Sequence, residues 1–178
     1  MLFLFMKSFF RINVLVFTGL VFLGLFSGCA QDEAVTVKGY NNTIVEIQKD
    51  MFGKAQEASK AFEVRPLQTE QIMAALQRIQ SEISQSHDRF KAMPVPKGGE
   101  QLADAMGRFF QVEINGIQRI IAGVEQLKGK ESDPEAMKAF TAVFQEFNQE
   151  ESQALRDFYA TQQQVAGKYG QEVIQVEE

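Results

Sequence analysis

From Thr36 onward the apolar positions recur every three or four residues, and almost nothing alternates with the two-residue period of a strand. Four prolines, Pro66, Pro94, Pro96 and Pro134, fall where one apolar period stops and the next starts, so they divide the body into four segments. The first, about Lys38 to Glu63, carries Tyr40, Ile44, Ile47, Met51, Ala55, Ala58 and Phe62 on one helical face and ends before Arg65-Pro66. The second begins at Thr69, a good N-cap, aligns Ile72, Leu76, Ile79, Ile83 and Phe90, and stops at Met93-Pro94. Pro94-Val95-Pro96-Lys97-Gly98-Gly99 then reads as a turn, with prolines fixing φ and glycines permitting unusual values.

The third segment, about Glu100 to Lys128, places Leu102, Met106, Phe109, Ile117, Ile120, Val124 and Leu127 in line. The fourth opens on Ser132-Asp133-Pro134-Glu135, a capping-box pattern with proline in the first turn, and runs toward Lys168. It buries Met137, Phe140, Phe144, Phe147, Leu155, Phe158 and Val165, the first three phenylalanines forming an aromatic layer of the core. Short connections between long amphipathic helices make sequential neighbours antiparallel. The expected fold is all-α, an up-down-up-down four-helix bundle over residues 38–170, with 171–178 as a frayed tail.

Ahead of the bundle the pattern changes. Residues 1–28 hold Lys7 and Arg11, no acid, and 7 of the 16 phenylalanines, with a nearly continuous apolar run from Ile12 to Phe26. Cations, an apolar stretch and then Ser27-Gly28 is the order of a secretory signal peptide, with Met6-Lys7-Ser8 reading as its start. The alternative for the same run is an uncleaved transmembrane anchor, for which it is slightly short. Leu25-Phe26-Ser27-Gly28-Cys29 resembles the bacterial lipobox, although Phe26 takes the place where leucine is usual. The resemblance implies cleavage before Cys29, acylation of Cys29 with palmitate-type chains, and residues 29–37 as a lipidated cysteine and short tether. By the same resemblance, Ala30 after the cysteine points to the outer membrane, with the bundle facing the periplasm or the surface.

Tyr40-Asn41-Asn42-Thr43-Ile44-Val45 and Pro94-Val95-Pro96-Lys97-Gly98-Gly99-Glu100-Gln101-Leu102-Ala103 are similar to segments of small all-helical bacterial surface lipoproteins of unassigned function. These two segments hold no residues of known chemistry, so the resemblance implies fold and location and no activity.

Composition narrows the function classes. A single cysteine, Cys29, excludes an internal disulfide and any multi-cysteine cluster, and a single histidine, His87, excludes two-histidine metal motifs. The full chain carries 18 cationic and 23 acidic side chains; without residues 1–28 there are 16 against 23, a net of −7. Such a charge argues against nucleic acid as a partner and against electrostatic attachment to an anionic membrane, which leaves the lipid on Cys29 as the membrane contact. No phosphate loop, catalytic serine setting or basic patch is present, and no cofactor is implied. Asn41-Asn42-Thr43 matches a glycosylation acceptor only formally.

One constellation departs from a bland core. Counting about 100° per residue puts Glu113 at the middle of the third apolar face and Glu151 at the middle of the fourth, within a turn of one layer once the chain folds back near residue 131. Two carboxyl groups in a dry layer require a shared proton or a cation between them. Lys54 is the nearest candidate cation and His87 lies about two turns away, so Lys54, His87, Glu113 and Glu151 make a candidate polar core layer. A di-iron bundle site needs Glu-x-x-His motifs that this chain lacks, and Glu113 and Glu151 alone are the candidate metal ligands. The expected function is non-enzymatic: a lipid-anchored envelope protein with a structural or interaction role and an envelope protein as partner. The alternatives are a small ligand- or metal-binding helical module built on the carboxylate pair, and a carrier that uses the phenylalanine-rich core for an apolar ligand.

Overall fold

The computed structural model of the chain describes residues 22–23, 29–60, 69–130, 133–169 and 172–173. Four helices account for nearly all of them: α1 (Cys29–Ser59), α2 (Thr69–Lys91), α3 (Glu100–Leu127) and α4 (Pro134–Lys168). They form an antiparallel four-helix bundle. Outside it, Phe22–Leu23 pairs antiparallel with Glu172–Val173, in the register Phe22 to Val173 and Leu23 to Glu172. Among the described residues no helix is long and apolar enough to cross a membrane. The rest of the expected signal peptide, the segment around Phe62 and Pro66, and Ser132 lie outside the described residues.

α1 corrects the expected boundary. It is helical from Cys29, nine residues before Lys38, so the segment expected as a short tether belongs to the helix, and Val37 is already buried. Ala30, Gln31, Glu33 and Ala34 are good helix formers, and Asp32 and Glu33 place negative charge in the opening turns, where the helix dipole favours it. The polarity of the stretch does not argue against a helix.

The other helix ends follow their local chemistry. α2 stops at Lys91, ahead of Pro94. In the turn that follows, Gly98 takes φ +85°, a left-handed conformation that glycine adopts without steric cost. The N–H of Gly99 donates to the carbonyl of Pro96 at 2.9 Å. After α3, Gly129 at φ +75° reverses the chain. The cap of α4 is Asp133 and not Ser132: its carboxylate accepts from the N–H of Glu135 at 2.9 Å and of Ala136 at 3.5 Å, and Pro134 follows in the first turn.

The core runs the length of the bundle, and the expected stripes fill it. Ile44, Met51, Leu102, Met106, Phe109, Phe110, Ile120 and Phe158 are essentially inaccessible, while Met137 and Leu155 are only partly covered. The α3 and α4 backbones approach closely, and glycine makes that approach possible. A Cβ at Gly116 would stand 2.1 Å from the ring of Phe147, and one at Gly123 would stand 2.7 Å from the ring of Phe140. The α1–α2 and α2–α3 pairs are also in backbone proximity, whereas α1 and α4 stand further apart and close their seam through side chains.

Candidate functional site

The core positions of α3 step 102, 106, 109, 113, 117, 120, 124, 127, and those of α4 step 140, 144, 147, 151, 155, 158, 162, 165. The same alternation of four and three in both helices keeps each series on one face. Glu113 and Glu151 therefore occupy core positions, with apolar residues a turn to either side, and each sits at the middle of its helix. The expected carboxylate pair is present. Glu113 is 5% exposed and Glu151 2%, and a side-chain hydrogen bond joins them.

A hydrogen bond between two carboxyl groups needs one of them protonated, because two carboxylates offer only acceptors. Glu113 is held well above the ordinary glutamate range, first by burial, then by the charge of Glu151 and by the hydrogen bond between them. Its Oε1 is buried and has no hydrogen-bond partner among the described residues. The arrangement is suited to keeping a proton in the middle of the core.

The two cationic candidates do not join this layer. Lys54 sits one position off the Met51–Ala55 stripe and turns outward, with 45% of its side chain exposed. It bridges Asp50 at 3.3 Å and Glu82 at 3.2 Å, joining α1 to α2 on the surface. Asp50 also meets Arg89, whose hydrogen bond, with Lys54, holds the Asp50 carboxyl below its usual range. His87 is half-buried with its ring 5.2 Å from that of Phe110, and burial and then Lys91 push its pKa down, against the pull of Asp88. The carboxylate pair is thus a two-member layer where four members were expected.

A second buried polar contact was not anticipated. Gln162 Nε2 donates to Asn41 Oδ1 at 2.8 Å, linking α4 to α1, with both residues wholly inaccessible. A buried Asn41 is unavailable as a glycosylation acceptor. Gln48 and Ser86 are buried as well, and Gln48 Nε2, Asn41 Nδ2, Gln162 Oε1 and Tyr40 Oη have no hydrogen-bond partner among the described residues. The signal was in the sequence. Gln162 continues the α4 series between Phe158 and Val165, and Asn41 and Gln48 lie seven residues apart beside Tyr40 and Ile47. A buried amide pair thus ties α1 to α4.

Among the described residues no group of three or more His, Cys, Asp or Glu could hold a metal ion. Phe140 and Phe144 pack edge to face with centroids 4.9 Å apart, and Phe140 and Phe147 lie against glycines, so this aromatic layer is filled by its own side chains. An open groove of about 440 Å³ runs outside the α3–α4 seam, with Ala105, Val112 and Ala154 on its floor and Arg108, Glu150 and Asp157 at its rim. Arg119 crosses the same seam to Glu150 and lies 3.8 Å from Glu146. No protein-family model, curated protein sequence or solved structure matches the chain.

Proposed function

We propose that this chain is a lipid-anchored protein of the bacterial envelope, probed by partners as a helical body and performing no chemistry of its own. The observation that carries the reading is the chain's only cysteine, directly after an apolar run and Ser27-Gly28. Cleavage at that point would remove Phe22–Leu23, and with them the pairing to Glu172–Val173, leaving the four helices whole. α1 begins at the residue that would carry the lipid, so the bundle would stand close to the bilayer on a helical stem. Acyl chains contribute about 0.8 kcal/mol per buried CH₂, and two or more chains hold a protein stably where one does not.

A non-enzymatic role is supported by the way charged groups are used. Lys54, Asp50, Glu82 and Arg89 neutralise one another on one surface, and Arg119, Glu146 and Glu150 do so on another. The test is metabolic labelling of expressing bacteria with an alkyne fatty acid, followed by membrane fractionation. Wild type should take up label and sediment with membranes, while Cys29→Ala should stay unlabelled and uncleaved. A Cys29→Ala protein that is processed and labelled like wild type would end the reading.

A further inference from the structure

Two carboxyl groups meet at mid-height of this bundle, and the charges that face the region from every helix are engaged elsewhere. On α1, Lys54 and Asp50 belong to the surface network. On α2, Glu82 shares Lys54, and His87 lies on the ring of Phe110. On α3 and α4, Arg119 turns outward to Glu146 and Glu150. What acts on the Glu113 carboxyl is burial, the charge of Glu151 and the hydrogen bond to it.

The occupant of the layer decides how the two helices interact there. With one proton shared, a carboxylic acid donates to a carboxylate and a hydrogen bond spans the seam. With none, two like charges face each other in a medium that screens them poorly. The effect falls on a seam where glycine lets the helices approach closely, one turn from the place where Phe147 seats on Gly116. Interdigitated packing of this kind does not widen by small degrees to admit water.

We infer that the Glu113–Glu151 pair is a proton-held latch between α3 and α4: one shared proton keeps the seam closed at mid-height, and its loss loosens the middle of both helices. The latch stands whether or not Cys29 carries lipid. Because Glu113 binds its proton more tightly in the folded chain than in the unfolded one, the stabilisation is full below the ordinary glutamate range, near 4.5. It is lost as pH rises through the higher folded-state value.

The experiment uses the full chain in mild detergent, as wild type, Glu113→Gln and Glu151→Gln, each repeated with His87→Gln so that the imidazole does not titrate. Thermal unfolding and amide hydrogen exchange are followed from roughly pH 5 to 9, with exchange corrected for its intrinsic pH dependence. With both glutamates intact in the His87→Gln background, the Tm should fall as pH rises, and corrected exchange over residues 109–117 and 147–155 should increase about tenfold. In either glutamine variant the amide donates to the remaining carboxylate, so both changes should shrink to less than about half. Isotope-edited infrared spectra of labelled glutamate should show, in wild type, a buried protonated carboxyl that persists above the ordinary glutamate range, and none in Glu113→Gln. A carboxyl that ionises within the ordinary glutamate range, near 4.5, or the same pH response in wild type and both variants, would overturn the latch. Should a variant fail to fold, the wild-type infrared titration decides alone.

Discussion

The carboxyl of Glu113, at the middle of α3, is hydrogen-bonded to that of Glu151, at the middle of α4. No position along the two helices is further from the water at the bundle's ends. Burial makes charge costly there, and a partner carboxyl lets one proton satisfy two groups.

This relationship bears on metal binding. Calcium takes six to eight oxygen ligands, and magnesium keeps an octahedral shell that it dehydrates reluctantly. The pair brings two side chains, and among the described residues no third His, Cys, Asp or Glu joins them. Millimolar calcium or magnesium is therefore expected to leave the Tm unchanged near neutral pH in differential scanning calorimetry. A rise that disappears in Glu113→Gln would show that a cation had replaced the proton.

Gly116 and Gly123 set the spacing of α3 on α4, and they separate two effects of adding a methyl group. Gly116→Ala drives a Cβ into the ring of Phe147, and overpacking of this kind costs about 1–3 kcal/mol. Gly107→Ala, on the same helix but facing open space, should instead stabilise by about 0.5–1 kcal/mol through helix propensity. Urea unfolding of the two variants should move the midpoint in opposite directions. Phe147→Leu should recover part of the loss in Gly116→Ala, because the obstructing ring is gone.

Much of this fold was legible because its signals are local and redundant. Ile44, Ile79, Met106 and Phe158 were placed in the core by spacing alone, and the Pro94–Gly99 and Asp133–Pro134 punctuation located two turns. Glu113 and Glu151 stood out because a charge at a core position breaks the pattern. Lys54 was harder to place. A long side chain at the edge of a stripe can turn either way, and the partners that draw it outward, Asp50 and Glu82, are fixed only by the pairing of α1 with α2. The burial of Asn41 and Gln162 is not legible for a related reason, since neutral amides are common on solvated faces. Only the register of α1 against α4 brings these two together.

That contact supports a prediction about the α1–α4 seam. Asn41→Leu removes the acceptor for Gln162 Nε2 and leaves a buried donor unpaired, a change that costs about 1–3 kcal/mol. Replacing both residues by leucine removes the stranded group, so the double variant should be more stable than either single one. A double-mutant cycle by urea unfolding measures the coupling. If the two losses simply added, the Asn41–Gln162 hydrogen bond would contribute nothing to the α1–α4 seam.

His87 and Glu113 should pull the pH dependence of stability in opposite directions. The folded chain holds the His87 imidazole below its ordinary value of 6.5, so the unfolded chain binds the extra proton first. Its contribution to stability is present above that value and is lost as pH falls through the lower folded-state value. Glu113 behaves in the reverse sense, gaining stability as acid is added down to its own unfolded value near 4.5. Replacing His87 by phenylalanine keeps a ring against Phe110 and removes the titration. The Tm of His87→Phe should therefore exceed that of wild type by more at pH 5 than at pH 8, with the Glu113 trend left intact. A difference that did not vary with pH would assign the effect to packing on Phe110 and not to the imidazole's charge.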